Sequence, residues 1–120
     1  MAEHNDLGKK GEALAQQYLE QNGYLILEKN WRLGPNEVDI IAYKDHEIVF
    51  VEVKTRTTDD FGDPEKFVTP AKQRAYIRMA NNYVLRYERE EEVRFDIIAV
   101  VVNTAGCSIN HLQRAFSQIG

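Results

Sequence analysis

Apolar side chains recur along this chain first at helical spacing, then in alternation, and then in the same order again. Over residues 6–22, Leu7, Gly11, Leu14, Ala15 and Tyr18 fall three and four apart, which predicts a helix. Asp6 is its candidate cap and Asn22-Gly23 its stop. Residues 24–32 suit a strand, and Leu33-Gly34-Pro35-Asn36 a turn. Residues 37–43 and 47–54 follow as a hairpin turning at Asp45 and His46. In its second strand Val49, Val51 and Val53 point one way, and Ile48, Phe50, Glu52 and Lys54 the other. Both faces are apolar until the end, the pattern of an interior strand covered on both sides. Residues 55–69 form a long loop, a length that is uncommon in compact domains. Thr69-Pro70 then opens a second helix to about residue 88, with Tyr76, Ile77, Ala80, Tyr83, Val84 and Tyr87 as its apolar stripe. Residues 93–103 read as a buried strand, 107–112 as a further strand and 113–117 as a short helix. The predicted order is α-β-β-β-α-β. The first three strands form a meander, and the second helix is a right-handed crossover that makes the next strand parallel to a neighbour. The fold class is α/β, a mixed sheet flanked by helices.

Composition narrows the setting. The 120 residues fit one domain, 1–120, and 43% hydrophobic content supports one modest core. No apolar run approaches a membrane span, and the polar, acidic start is unlike a secretory signal. The single Cys107 forms no internal disulfide, and His4, His46 and His111 lack metal-ligand spacing, so a reducing cytoplasm is the expected location. The net charge of −4 weighs against strong nucleic-acid binding. Its distribution matters more than its sum: residues 67–87 carry Lys72, Arg74, Arg78 and Arg86 with no acidic residue, while acid collects in residues 88–92. That allows one basic face on an acidic protein.

The chemistry is concentrated at the end of the hairpin. A tight turn at Asp45 and His46 sets Asp39 opposite Glu52 and Glu37 opposite Lys54. Opposed residues share a face, so two carboxylates meet with a lysine beside them. Like charges so placed repel unless a cation joins them. Asp39 and Glu52 are therefore the expected ligands of a hard divalent metal, Mg2+ or Mn2+. Lys54 is placed to stabilise developing negative charge or to orient and activate the attacking water; the sequence leaves both roles open. Glu37 is a supporting residue, either paired with Lys54 or an outer ligand. Glu12 lies at the edge of the first helix's stripe, one turn after Gly8, where it either reaches over the sheet's end or simply faces solvent. Lys72, Gln73 and Arg74 stand in the first turn of the second helix and are candidate phosphate contacts or an ordinary polar turn. Arg32 and Arg56 flank the expected cleft as further nucleic-acid-binding candidates. Trp31 is a base-stacking or core aromatic, and Asp96 is read as structural.

These residues together carry a resemblance. Gly11-Glu12, Gly23-Tyr24, Asn30-Trp31-Arg32, Glu37-Val38-Asp39, Val49-Phe50-Val51-Glu52-Val53-Lys54, Phe61-Gly62, Lys72 and Arg94-Phe95-Asp96 resemble the YraN-like family of small bacterial proteins over nearly the whole chain. That family is similar to archaeal Holliday-junction resolvases. The resemblance implies a restriction-endonuclease-like fold with an αβββαβ core, and it sets Glu12, Asp39, Glu52 and Lys54 on the resolvase active-site pattern of helix Glu, Asp and Glu-x-Lys. Asn36 stands where the family often has Gly, and Asn tolerates the left-handed backbone such a turn uses.

The expected function is metal-dependent hydrolysis of phosphodiester bonds in DNA, with branched or damaged structures as candidate substrates. A two-fold homodimer would suit a two-fold junction, by analogy. The competing readings are a non-catalytic nucleic-acid-binding module of the same fold and a partner-binding subunit of a larger assembly.

Overall fold

A two-residue turn sets the register of the sheet centre. In the computed structural model, which describes residues 2–58 and 68–117 with side chains from Asp6 onward, Asp45 and His46 both take positive φ (51° and 68°). Positive φ at both central residues matches the right-handed twist of the flanking strands. β2 (Asn36–Lys44) and β3 (Glu47–Arg56) therefore pair with Tyr43 opposite Ile48 and Ile41 opposite Phe50. β1 (Leu25–Leu33) lies antiparallel on the outer side of β2. α2 (Pro70–Arg86) crosses over, and β4 (Glu92–Asn103) returns parallel to β3, in register from Glu47 opposite Glu92 to Arg56 opposite Val101. β5 (Gly106–Phe116) closes the order β1-β2-β3-β4-β5 as an antiparallel edge. With α1 (Ala2–Gln21) in front, this is an αβββαβ restriction-endonuclease-like core carrying one further strand.

Each face of the sheet has its own core. On the α1 side Ala15, Leu19, Ile40, Ala42, Val49, Val51, Ile98 and Val100 pack together. On the α2 side Trp31, Ile41, Ile48, Phe50, Tyr76, Met79, Tyr83 and Phe95 do so. The middle of β3 is buried on both sides, as its two apolar faces require. Trp31 belongs to the second core, with its ring edge-on to Tyr83 at 5.3 Å.

Several local expectations shift. Asp6 lies inside α1 rather than capping it. Thr69 does cap α2: its side chain accepts from the Lys72 N–H at 3.2 Å, with Pro70 next. The buried stripe of α2 is Ala75, Tyr76, Met79, Ala80 and Tyr83, so Tyr87 is left outside as the C-cap. The helix expected over 113–117 is strand to Phe116. The residue type was locally permissive, and packing decided: Phe116 stacks on Phe95 at 4.9 Å, while a register shift and a positive φ at Arg114 let the chain bend and keep pairing. In the β1–β2 turn Gly34, not Asn36, takes the left-handed conformation (φ 59°). Of the 55–69 loop, Thr55 and Arg56 belong to β3, and residues 59–67, Phe61-Gly62 among them, lie outside the described residues.

The close approach of α1 to the sheet occurs at Gly11 rather than Gly8. A Cβ at Gly11 would lie 1.8 Å from Thr55 Oγ1 and 2.8 Å from Thr55 Cβ, whereas one at Gly8 would meet nothing within 4 Å. Gly11→Ala gains helix propensity of about 1 kcal/mol but forces α1 off β3. A net loss of about 1–3 kcal/mol is expected in urea unfolding, with Gly8→Ala neutral or stabilising. Equal stabilities for the two variants would contradict this packing.

Candidate functional site

The β2–β3 ladder stops one residue pair short of the expected site. Its last pair is Ile40 opposite Val51. Beyond it the Asp39 side chain takes the place of a backbone acceptor: Asp39 Oδ2 accepts from the Val53 N–H at 2.8 Å. The strands diverge there, so Glu37 does not face Lys54. Glu37 instead pairs across to β1, where Arg32 stands opposite it and the two side chains meet at 3.3 Å.

The divergence opens a cleft of about 270 Å3, whose walls include Asn36, Glu37, Asp39, Glu52, Lys72 and Tyr76. Asp39 and Glu52 thus share one cavity on the α2 face. Glu52 is 3% exposed and is the only buried carboxylate on that face among the described residues. Both of its oxygens are engaged. Tyr76 donates its hydroxyl to Oε1 at 2.5 Å, and Lys72 Nζ lies 2.6 Å from Oε2. Lys54, two residues along the same strand face, has its Nζ 3.8 Å from Oε2. Two ammonium groups and a phenol therefore converge on one carboxylate.

Asp39 is held differently. Burial, and then the negative charge of Glu52, push its carboxyl from 3.8 up to about 7; the Val53 N–H and Lys72 oppose the shift only in part. Glu12 on α1 adds a smaller upward push, which places its charge within reach of Asp39. The Glu12 side chain is half-buried and accepts from Asn30 Nδ2 at 3.0 Å. The Tyr76 hydroxyl is driven well above 10 by burial and by Glu52, so it stays protonated and remains a donor.

The remaining candidates divide. Gln73 donates its side-chain amide to the Val68 carbonyl at 3.1 Å, which fixes the start of α2. Arg74 is exposed on the first turn of that helix. Arg32 is exposed at the cleft's β1 rim, although paired with Glu37. Arg56 is exposed at the end of β3, where it donates to the Thr55 carbonyl. Lys72 turns inward to Glu52 instead of outward from the helix start. Tyr76 was not singled out as a site residue by the sequence. A hydroxyl in the middle of an apolar stripe was the available signal, because a buried phenol needs a partner.

The donor set suits a hard cation. Three carboxylates line the cleft, Glu37 being paired with Arg32 while Asp39 and Glu52 lie together, and no group of three side chains that could hold one metal ion exists among the described residues. Magnesium commonly takes one or two protein carboxylates and completes its shell with water and phosphate oxygen, so an open pair fits it and a closed cage is not required. A larger groove, about 760 Å3, runs between α2 and the β4–β5 edge. Its walls include Val84, Leu85, Phe95 and Phe116, and its arginines are already committed, Arg94 to Asp96 and Arg114 to Glu47.

No helix among the described residues is long and apolar enough to cross a membrane. The family model described as "Uncharacterised protein family UPF0102" matches residues 11–100, which contain Glu12, Asp39, Glu52, Lys54, Lys72 and Tyr76. The chain is 51% identical over 116 residues to a UPF0102 protein of Christiangramia forsetii, covering 97% of this chain and 98% of that one. It is 49% identical to a UPF0102 protein of Flavobacterium psychrophilum, covering 97% and 98%. It is 47% identical to one of Bacteroides fragilis, covering 97% and 96%.

Proposed function

The chain belongs to the uncharacterised protein family UPF0102, and from the geometry of its cleft we propose that it is a metal-dependent nuclease hydrolysing phosphodiester bonds in DNA, with branched or damaged structures as preferred substrates. The observation that carries this reading is the shared cavity of Asp39 and Glu52, with Asp39 raised to about 7 by burial and by its neighbour's charge. Folding has set Asp39 beside the charge of Glu52 with too little compensation of its own, and a divalent cation shared by the two carboxylates would relieve it.

Asp39 and Glu52 would hold Mg2+ or Mn2+. Such an ion, when bound, polarises a phosphoryl oxygen and lowers the pKa of a water. Tyr76 fixes the Glu52 carboxylate plane through Oε1, and the Val53 N–H fixes Asp39 through Oδ2. Lys54 stands beside Glu52 with a quarter of its side chain exposed, placed to donate to a phosphate oxygen or to orient the attacking water. Glu12 supports the site through the field it adds at Asp39. Arg32, Arg56 and Arg74, exposed on three different elements, would meet the backbone phosphates on either side of the scissile bond. With a net charge of −4, affinity depends on these local cations and falls steeply with salt.

The test is a panel of duplex, nicked, flapped and four-way-junction DNA incubated with Mg2+, Mn2+ or a chelator, alongside calorimetric titration of each metal. Cutting is expected only with metal, and strongest on the branched substrates. Cutting that survives chelation would remove the metal from the chemistry. Binding of branched DNA with no cutting under any metal would favour the non-catalytic module, for which the existing neutralisation of Glu52 by two lysines is the supporting observation.

A further inference from the structure

The two oxygens of Glu52 have partners of opposite character. Oε1 is taken by Tyr76, a ring 1% exposed in the body of α2 and in edge contact with Phe116. Moving it would open the core. Oε2 is taken by Lys72, whose side chain is 41% exposed. The main chain of Lys72 is pinned by the Thr69 cap, but its four-carbon stem is not enclosed. One oxygen is held by a fixture and the other by an arm that can swing.

The arm occupies a telling position. Its ammonium compensates Glu52 directly and also opposes the upward shift of Asp39, so one cation serves both carboxylates. That is the task a divalent ion would perform. An ammonium and a divalent cation repel at such separations, and both are drawn to Oε2. An ion on Oε2 neutralises the charge that holds the ammonium there and repels it toward solvent.

We propose that Lys72 is a displaceable counterion: it holds Glu52 Oε2 while the site lacks a divalent ion, yields that oxygen to the ion, and swings its ammonium to a phosphate oxygen of the substrate. Tyr76 keeps Oε1 throughout. This inference rests on Asp39 and Glu52 being metal ligands. It assigns Lys72 a substrate-binding role, with metal binding and phosphate binding coupled through one side chain: the ion frees the cation that the substrate needs.

The test measures metal binding apart from activity. Mn2+ is titrated by calorimetry into the wild type, Lys72→Met and Lys72→Gln, with amide spectra confirming the fold. Removing the competing ammonium is expected to tighten Mn2+ binding by about tenfold in both variants, because the ion no longer has to break an ion pair. The same variants should bind a phosphate-bearing DNA strand more weakly in the presence of metal. In the wild type, Mg2+ saturation should shift the Lys72 side-chain Cε–H resonances, and that shift should be absent in Asp39→Asn. Unchanged or weaker Mn2+ affinity in both Lys72 variants, with the wild type binding normally, overturns the inference and leaves the metal site standing. Failure of wild type and variants alike to bind Mn2+ overturns the metal reading and this inference with it.

Discussion

Asp39→Asn is expected to abolish metal-dependent cleavage and, in the same protein, to raise the stability of the metal-free fold above neutral pH. The first effect follows from the ligand set. Losing a group that merely orients a ligand commonly costs about 10–100-fold in metal affinity or activity, so loss of a ligating charge from the proposed Asp39–Glu52 metal site should cost at least about 100-fold. The second follows from linkage. The Asp39 carboxyl is raised from 3.8 to about 7, by burial first and by Glu52 second. Between those values the folded protein holds a proton that the unfolded chain has released. Stability is therefore fully present below about pH 4, falls as pH rises through the window, and is flat above about 7. The span is on the order of a few kcal/mol. Asparagine is nearly isosteric with the protonated acid, and its amide oxygen can accept the same Val53 N–H. Asp39→Asn should therefore match the wild type near pH 4 and exceed it at pH 8, as read by urea unfolding in chelator. Added Mg2+ should then stabilise the wild type only. Parallel pH profiles for the two proteins would show that Asp39 is not held in a costly state, and the case for a missing cation would lose its energetic support.

How much of this was legible in the sequence depends on which contacts set each position. The Asp45-His46 turn and the two-sided apolar run of β3 were enough to bring Asp39 and Glu52 into one cavity, since hairpin register and strand alternation are local rules. The same rules, extended two residues further, misplaced Glu37. They assume that backbone pairs with backbone, and at Asp39 a side chain replaces it. Lys72 and Tyr76 were harder to assign. They are four apart on α2 and share a face, but the rotation that turns that face onto Glu52 is set by Met79, Ala80 and Tyr83 packing on the sheet. The approach of α1 at Gly11 rather than Gly8 is again a matter of packing against a residue, Thr55, more than forty positions away. Local pattern predicted which carboxylates share the cleft; which side chains neutralise them was decided by the contact between layers.

The largest stability loss is expected not in the cleft but on the opposite face of the sheet, at Asp96. This carboxylate is 0% exposed and stands in register with Val51, one position from Glu52 but on the α1 side. Arg94 Nε and Nη2 donate to it at 3.0 and 2.8 Å, and the Arg114 backbone N–H donates at 3.0 Å. His111 Nε2 lies 2.6 Å away. The network continues outward from Arg94 to the Tyr24 hydroxyl at 2.6 Å and to Glu47 at 3.2 Å, and from His111 Nδ1 to the Tyr18 hydroxyl at 2.9 Å. Burial alone would push Asp96 up, but its bonds to His111, Arg94 and the Arg114 N–H outweigh that and hold it below its ordinary value. The sign is opposite to that of Asp39: the stabilisation is present above the unfolded carboxyl value and is lost as pH falls through the folded one. Asp96→Ala leaves the Arg94 guanidinium buried beside a void, a change that typically costs about 3–5 kcal/mol. Against a total stability of about 5–15 kcal/mol, that brings the chain close to unfolding at 37 °C. Urea unfolding at pH 7 should show this loss for Asp96→Ala, and Arg94→Met combined with Asp96→Leu should recover part of it, because removing both charges removes the burial penalty as well. An Asp96→Ala protein within about 1 kcal/mol of the wild type would mean that Glu47 and the Tyr24 hydroxyl suffice for Arg94. If the loss occurs, any cleavage by the variant should track its folded fraction, since the Asp96 side chain bonds only to β4 and β5 on the face opposite the cleft.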